Sequence, residues 1–154
     1  MSYAYDTVAD IIRLAEENTI SFGEVVLRNE LENYDRTESD VFNEIERRLD
    51  IFEESIQAGL SYAEKTTSGM SGGQAAHLNG QMPRFMSEIA YKAMTYAIAV
   101  NEANAKMFRI VACPTAGSCG VMPGAVKAIV EHYKLDKATV IKGFLAASGI
   151  GNVV

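Results

Sequence analysis

No apolar run in this sequence reaches the roughly 18 residues that a membrane-spanning helix needs. Positive charge is scarce as well. Fourteen Lys and Arg stand against twenty Asp and Glu, a net charge of −6. Apart from the Arg47–Arg48 pair the basic residues are scattered, which argues against a nucleic-acid partner, since gripping a phosphate backbone takes clustered cations. The opening residues, MSYAYDTVAD, offer neither a basic n-region nor an apolar h-region, so no secretory signal is read. Cysteine is limited to two, and without a signal that count suits a reducing cytoplasm. Internal repeats, low-complexity tracts and domain linkers are all missing. The 154 residues suffice for a single helical domain, residues 1–154, with one contiguous core.

What is present is helical periodicity. Val8, Ile11, Ile12 and Ala15 predict a short first helix that ends before Asn18 and Thr19. Ser21 opens a second, with Glu24 three residues on completing a capping box; Val25, Val26 and Leu31 face inward. From about Ser39 to Glu64, Phe42, Ile45, Leu49, Phe52, Ile56 and Leu60 recur every three or four residues against an acidic and basic opposite face, an amphipathic helix. Ser87 to Lys106 is helical and rich in alanine on several faces, which predicts burial on more than one side. Ala125 to Tyr133 is helical, and Asp136 caps a last helix carrying Val140, Ile141, Phe144 and Leu145. Ile110, Val111 and Ala112 could form a short extended run. The predicted class is all-α, about seven helices packed around the small-residue helix, with two glycine-rich loops.

Those loops hold the chemistry. The segment CPTAGSCGVMPG, 113–124, is a run of small residues opening a helix. Gly117 and Gly120 let backbone N–H groups approach a ligand, Thr115 and Ser118 can donate hydroxyl hydrogen bonds, and a helix starting near Pro123 presents the positive end of its dipole. Such an arrangement suits a carboxylate or a phosphate. A tight turn with buried small side chains fits the same residues, as does the role of Gly117, Gly120 and Gly124 in permitting sharp turns. The segment TTSGMSGG, 66–73, has three glycines in eight residues. Ser68, Ser71, Gly72 and Gly73 could form a second nest of N–H donors, or a plain flexible connection. Neither loop carries the Lys-Ser or Lys-Thr of a P-loop, and neither matches a dinucleotide fingerprint. Cys113 and Cys119, separated by five residues, are too few for a metal centre, which takes three or four ligands. His77 and His132 do not complete a zinc spacing. Reduced cysteines lining a packed loop is the favoured reading, with Cys113 and Cys119 as metal ligands the alternative.

The run RIVACPTAGSCGVMPG, 109–124, resembles the signature of the iron–sulfur-dependent L-serine dehydratase α chain. SGMSGGQA at 68–75 is similar to a second family segment, and AVNEANAKM at 99–107 to a third, all in family order. Phe108 stands where the family pattern leads one to expect glycine. The resemblance covers nearly the whole chain and implies its N-terminal half. The chain reads as interrupted at GNVV, before the three cysteines with which the family holds its cluster.

The resemblance implies a lyase in the cytoplasm that converts L-serine to pyruvate and ammonia, with a 4Fe-4S cluster as Lewis acid on the leaving hydroxyl. It implies a serine dehydratase β chain or domain as partner, an oligomer, and no activity for this region by itself. On that reading Thr115, Gly117 and Ser118, helped by Ser71, Gly72 and Gly73, grip the substrate carboxylate. His77 is the candidate base within this chain, and the β chain the other source. Two further readings stand beside it. One is a non-catalytic helical assembly or regulatory module derived from the family. The other, a binder of small phosphorylated ligands, rests on the glycine loops alone.

Overall fold

The computed structural model describes residues 2–81, 83–113 and 115–154, and every regular element among them is helical. In chain order these are α1 (Val8–Asn18), α2 (Phe22–Asn33), α3 (Glu38–Ser61), α4 (Gln74–Leu78), α5 (Glu88–Ala105), α6 (Val121–Tyr133) and α7 (Lys137–Val153). The all-α class expected from the periodicity holds. Ile110, Val111 and Ala112 pair with no strand among the described residues.

The helix starts follow local hydrogen-bond chemistry, with one departure. Ser21 caps α2 by accepting from the N–H of Glu24 at 3.2 Å. The return half of a capping box is not the role Glu24 takes, because its carboxylate accepts from Arg28 Nε at 2.9 Å instead. Complete boxes form where the third residue is aspartate. Thr7 and Asp10 exchange both bonds at α1, and Thr37 and Asp40 do so before α3, at 2.8 and 3.2 Å. At α1 the two carboxylate oxygens divide the work: Asp10 Oδ2 takes the cap bonds, and Oδ1 lies 3.6 Å from Arg13.

The chain forms two compact units. The first comprises Met1–Glu46 with Asp136–Val154, the second Arg47–Leu135, so α3 gives its first turns to one and the rest to the other. In the first, α2 lies along α7 and α1 packs against both. Ile11, Leu14, Val25, Val26, Leu27, Val41, Ile45, Ile141 and Leu145 are among its buried apolar residues. The α2–α7 approach depends on Gly23, where a Cβ would sit 2.4 Å from the Lys142 carbonyl oxygen.

In the second unit α5 is the centre, packed on α6 and α4. Ile56, Tyr96, Val100, Cys119 and Ala128 make its core. The alanines of α5 belong to a helix packed on more than one side, as the sequence suggested, and they also let other backbones come close. A Cβ on Gly59 of α3 would lie 1.9 Å from the Ala99 carbonyl oxygen, and one on Gly124 of α6 2.5 Å from that of Ala93. Gly120 meets Ala97 in the same way, at 2.3 Å. Gly120 has φ −84° and Gly124 lies inside α6, so close packing, not a sharp turn, is what requires glycine at both. A polar network ties the same three helices. Tyr96 donates to Glu131 at 2.8 Å, and Lys127 bridges Glu53 at 2.7 Å and Glu131 at 3.2 Å. Burial, reinforced by Glu131, pushes the Tyr96 phenol well above its ordinary range.

Candidate functional site

The last two turns of α5 reach both loops. This is the stretch NEANAK, 101–106, and nearly every polar side chain on it holds backbone from elsewhere. Asn104 Nδ2 donates to the Ala116 carbonyl at 3.1 Å. Lys106 Nζ donates to the Glu64 carbonyl at 2.8 Å and sits 4.3 Å from the centre of the Tyr62 ring. Asn101 Oδ1 accepts from the Cys119 thiol, at 3.7 Å. Glu102, only 3% exposed, accepts from the N–H of Gly73 at 3.0 Å and of Gln74 at 2.8 Å, one bond to each carboxylate oxygen. A buried carboxylate is costly unless its oxygens are satisfied, and two backbone donors at the head of α4 satisfy it here.

The 66–73 loop is built around that contact. Gly72 and Gly73 have φ of +114° and +85°, a region L side chains rarely adopt. A Cβ on Gly72 would lie 2.6 Å from the Glu64 carbonyl oxygen. Thr66 N–H donates to the Ser71 carbonyl at 2.8 Å, and the Thr66 hydroxyl donates to the same oxygen at 3.1 Å. Gly72 N–H is given to Gln74 Oε1 at 2.9 Å. The N–H groups of Gly72 and Gly73, expected to face a ligand, are thus donated within the protein. Ser71, Gln74, Ile98, Asn101 and Glu102 line an open groove of about 480 Å³.

The 113–120 loop is closed by its own side chains. The Thr115 and Ser118 hydroxyls lie 3.0 Å apart. Ser118 N–H donates to Thr115 Oγ1 at 3.2 Å, and Ser118 Oγ donates to the Cys113 carbonyl at 2.8 Å. Thr115 and Gly117 are exposed. A Cβ on Gly117 would meet only Thr115 Oγ1, at 3.8 Å, so the fold leaves open space there. The loop leads into α6, which begins at Val121, two residues before the expected Pro123. Its N-cap, Gly120, makes no side-chain cap bond, and its first turn holds no acidic residue. The positive end of this helix is therefore not neutralised by its own first turn.

The remaining predicted residues lie next to these loops or in the packing beneath them. His77 is exposed on α4, with its backbone N–H given to the Gly73 carbonyl at 3.1 Å. Cys119 is fully buried and Cys113 half-buried. Burial raises both thiols above their ordinary range. A cluster takes thiolates, three or four together. Burial disfavours the thiolate at both, and no group of three His, Cys, Asp or Glu that could hold a metal ion comes together among the described residues. The donors present do not fit an iron–sulfur cluster. No helix among the described residues is long and apolar enough to cross a membrane.

Sequence reasoning placed AVNEANAKM among the informative segments but gave Glu102, Asn101 and Asn104 no role. The available signal was an acid near the end of a helix that is alanine-rich and apolar on several faces, remote from the first-turn Glu88 that the helix dipole accounts for.

Comparison with known proteins gives a consistent picture. The family model described as serine dehydratase alpha chain matches residues 17–154. The chain is 32% identical over 152 residues to the L-serine dehydratase alpha chain of Peptoniphilus asaccharolyticus, covering 97% of this chain and 52% of that one. It is 31% identical over 153 residues to a probable L-serine dehydratase alpha chain of Bacillus subtilis, covering 97% and 51%. L-serine dehydratase 2 of Escherichia coli is 26% identical over 164 residues, covering 98% of this chain and 34% of that protein. The chain thus spans about half the length of the curated alpha chains it matches.

Proposed function

The chain belongs to the serine dehydratase alpha chain family, and from that membership we propose that it forms the carboxylate-gripping part of an L-serine dehydratase. The reaction is loss of water from L-serine, followed by tautomerisation of the resulting enamine to an imine, whose hydrolysis takes up water and releases ammonia and pyruvate. The substrate carboxylate sits against the Thr115 and Ser118 hydroxyls and the open backbone at Gly117, at the unneutralised start of α6. Ser71 supplies a hydroxyl from the neighbouring loop. The observation that carries this reading is the hydroxyl pair of the 115–118 loop, closed on itself beside a helix start without an acidic cap. An incoming carboxylate replaces the Thr115–Ser118 bond and the bond from Ser118 to the Cys113 carbonyl with two charge-assisted ones, which are roughly twice as strong as neutral bonds.

In this account a 4Fe-4S cluster supplies Lewis acidity in the complete enzyme, on cysteines other than Cys113 and Cys119. The β chain or domain is the partner, in an oligomeric, cytoplasmic enzyme. His77, exposed on α4 beside the 66–73 loop, is the base candidate from this chain, and the β chain is the other source. The test is direct. The complete α chain bearing this sequence is prepared anaerobically with its β chain and assayed for pyruvate from L-serine. Pyruvate formation at turnover rates supports the proposal; a reconstituted enzyme that leaves L-serine untouched overturns it.

A further inference from the structure

A nest of backbone N–H groups at Gly72–Gly73–Gln74 invites an anion, and the chain supplies its own. Glu102 lies 28 residues after Gln74 in sequence, is 3% exposed, and puts one carboxylate oxygen on each of the Gly73 and Gln74 N–H groups. Two turns of the same helix also hold the neighbouring segments, through Lys106 on Glu64 and Asn104 on Ala116. Glutamine could not replace this carboxylate, because its amide nitrogen would meet an N–H donor with another donor.

We infer that Glu102 is the resident anion of this nest and a positioning residue for the 66–78 segment, so that the substrate carboxylate is excluded from the Gly72–Gly73 N–H groups and falls to the 115–118 loop, with the Ser71 hydroxyl as the one contribution of the 66–73 loop. The inference rests on the serine dehydratase reading for its consequence but not for its geometry. Glu102 touches no reacting atom in this scheme. It fixes where Ser71 stands, by holding the end of the loop on which Ser71 sits.

The test uses the complete enzyme with Glu102→Ala, Glu102→Gln and Glu102→Asp, with sodium formate as an external carboxylate. Amide hydrogen exchange is followed segment by segment, alongside KM and kcat for L-serine. In Glu102→Ala, exchange across 72–78 speeds up about tenfold or more, as expected for two lost charge-assisted bonds. KM rises by a similar factor while kcat moves less. Formate, which fits the vacated place, restores both in part. In Glu102→Gln formate restores neither, since the amide occupies that place. Glu102→Asp, which keeps both oxygens on a shorter stem, gives an intermediate result and serves if the alanine variant does not fold.

In the unaltered enzyme, L-serine protects the 115–118 segment and leaves 72–78 unchanged. Protection of 72–78 by L-serine would overturn the inference. So would exchange that rises evenly along the chain with KM unchanged, or a folded alanine variant that formate does not restore. If the unaltered enzyme makes no pyruvate, the serine reading falls, while exchange and formate rescue still decide whether Glu102 holds the nest.

Discussion

Met107 closes α5 in the left-handed region, at φ 63°, with its side chain 93% exposed. The sequence led one to expect glycine at the next position, Phe108. The chain reverses one residue earlier, with Phe108 N–H donating back to the Ala103 carbonyl at 3.0 Å. A residue with a Cβ costs roughly 1–2 kcal/mol in that conformation, and glycine is the usual occupant after a helix end. Met107→Gly should therefore raise stability by about 1 kcal/mol, read as a higher urea midpoint at an unchanged slope; a lower midpoint would contradict the assignment. The cysteines make a second residue-scale case. Burial raises both thiols, so the reactive thiolate is scarce at pH 8 and appears only as pH rises further. Iodoacetamide at that pH should modify Cys113 slowly and the fully buried Cys119 more slowly still. Equal and rapid modification of both in the folded protein would show that the packing around them is wrong.

Helix against helix, the deciding residues are the small ones. Gly124 brings α6 so near α5 that a methyl group would lie 2.5 Å from the Ala93 carbonyl oxygen and 2.7 Å from the Ala97 nitrogen. Gly124→Ala should cost about 1–3 kcal/mol by forcing the helices apart. Gly143, exposed within α7 and with nothing near its would-be Cβ, is the matched control: Gly143→Ala should add about 0.5–1 kcal/mol through helix propensity. Thermal or denaturant unfolding of the two variants should give opposite signs, and the same sign in both would count against this packing. The contrast also shows what was legible beforehand. Helix positions follow from i, i+3, i+4 spacing, which is local, and α1, α2, α3, α5 and α7 fall where Val8–Ala15, Ser21, Phe42–Leu60, Ser87 and Asp136 put them. Which glycine turns a chain and which one admits a neighbour depends on partners far off in sequence, so Gly120 and Gly124 read as turn residues until their contacts with α5 are seen. Glu102 was opaque for the same reason, since its role is defined by N–H groups 28 and 29 residues before it. At Ser21 the local rule was right about the cap and blind to Arg28, which takes the Glu24 carboxylate.

Taken as a molecule, the chain is a helical protein of the serine dehydratase alpha chain family whose second unit, Arg47–Leu135, holds both glycine loops on one helix. The first unit contributes packing of α1, α2 and α7 and carries none of the proposed site residues. That division gives the account a sharp expectation: the chemistry of substrate recognition rests on the 115–118 loop, where Thr115 is exposed and Ser118 half-buried and both hydroxyls are bonded within 113–118, and not on the Gly72–Gly73 nest, which Glu102 fills. The measurement that tests this most directly is KM for L-serine in the complete enzyme carrying Thr115→Ala or Ser118→Ala. Each variant loses one hydrogen bond to a charged carboxylate, about 1.5–3 kcal/mol, and so should raise KM by roughly ten- to a hundredfold. An unchanged KM in both variants, with the fold intact, would contradict the claim.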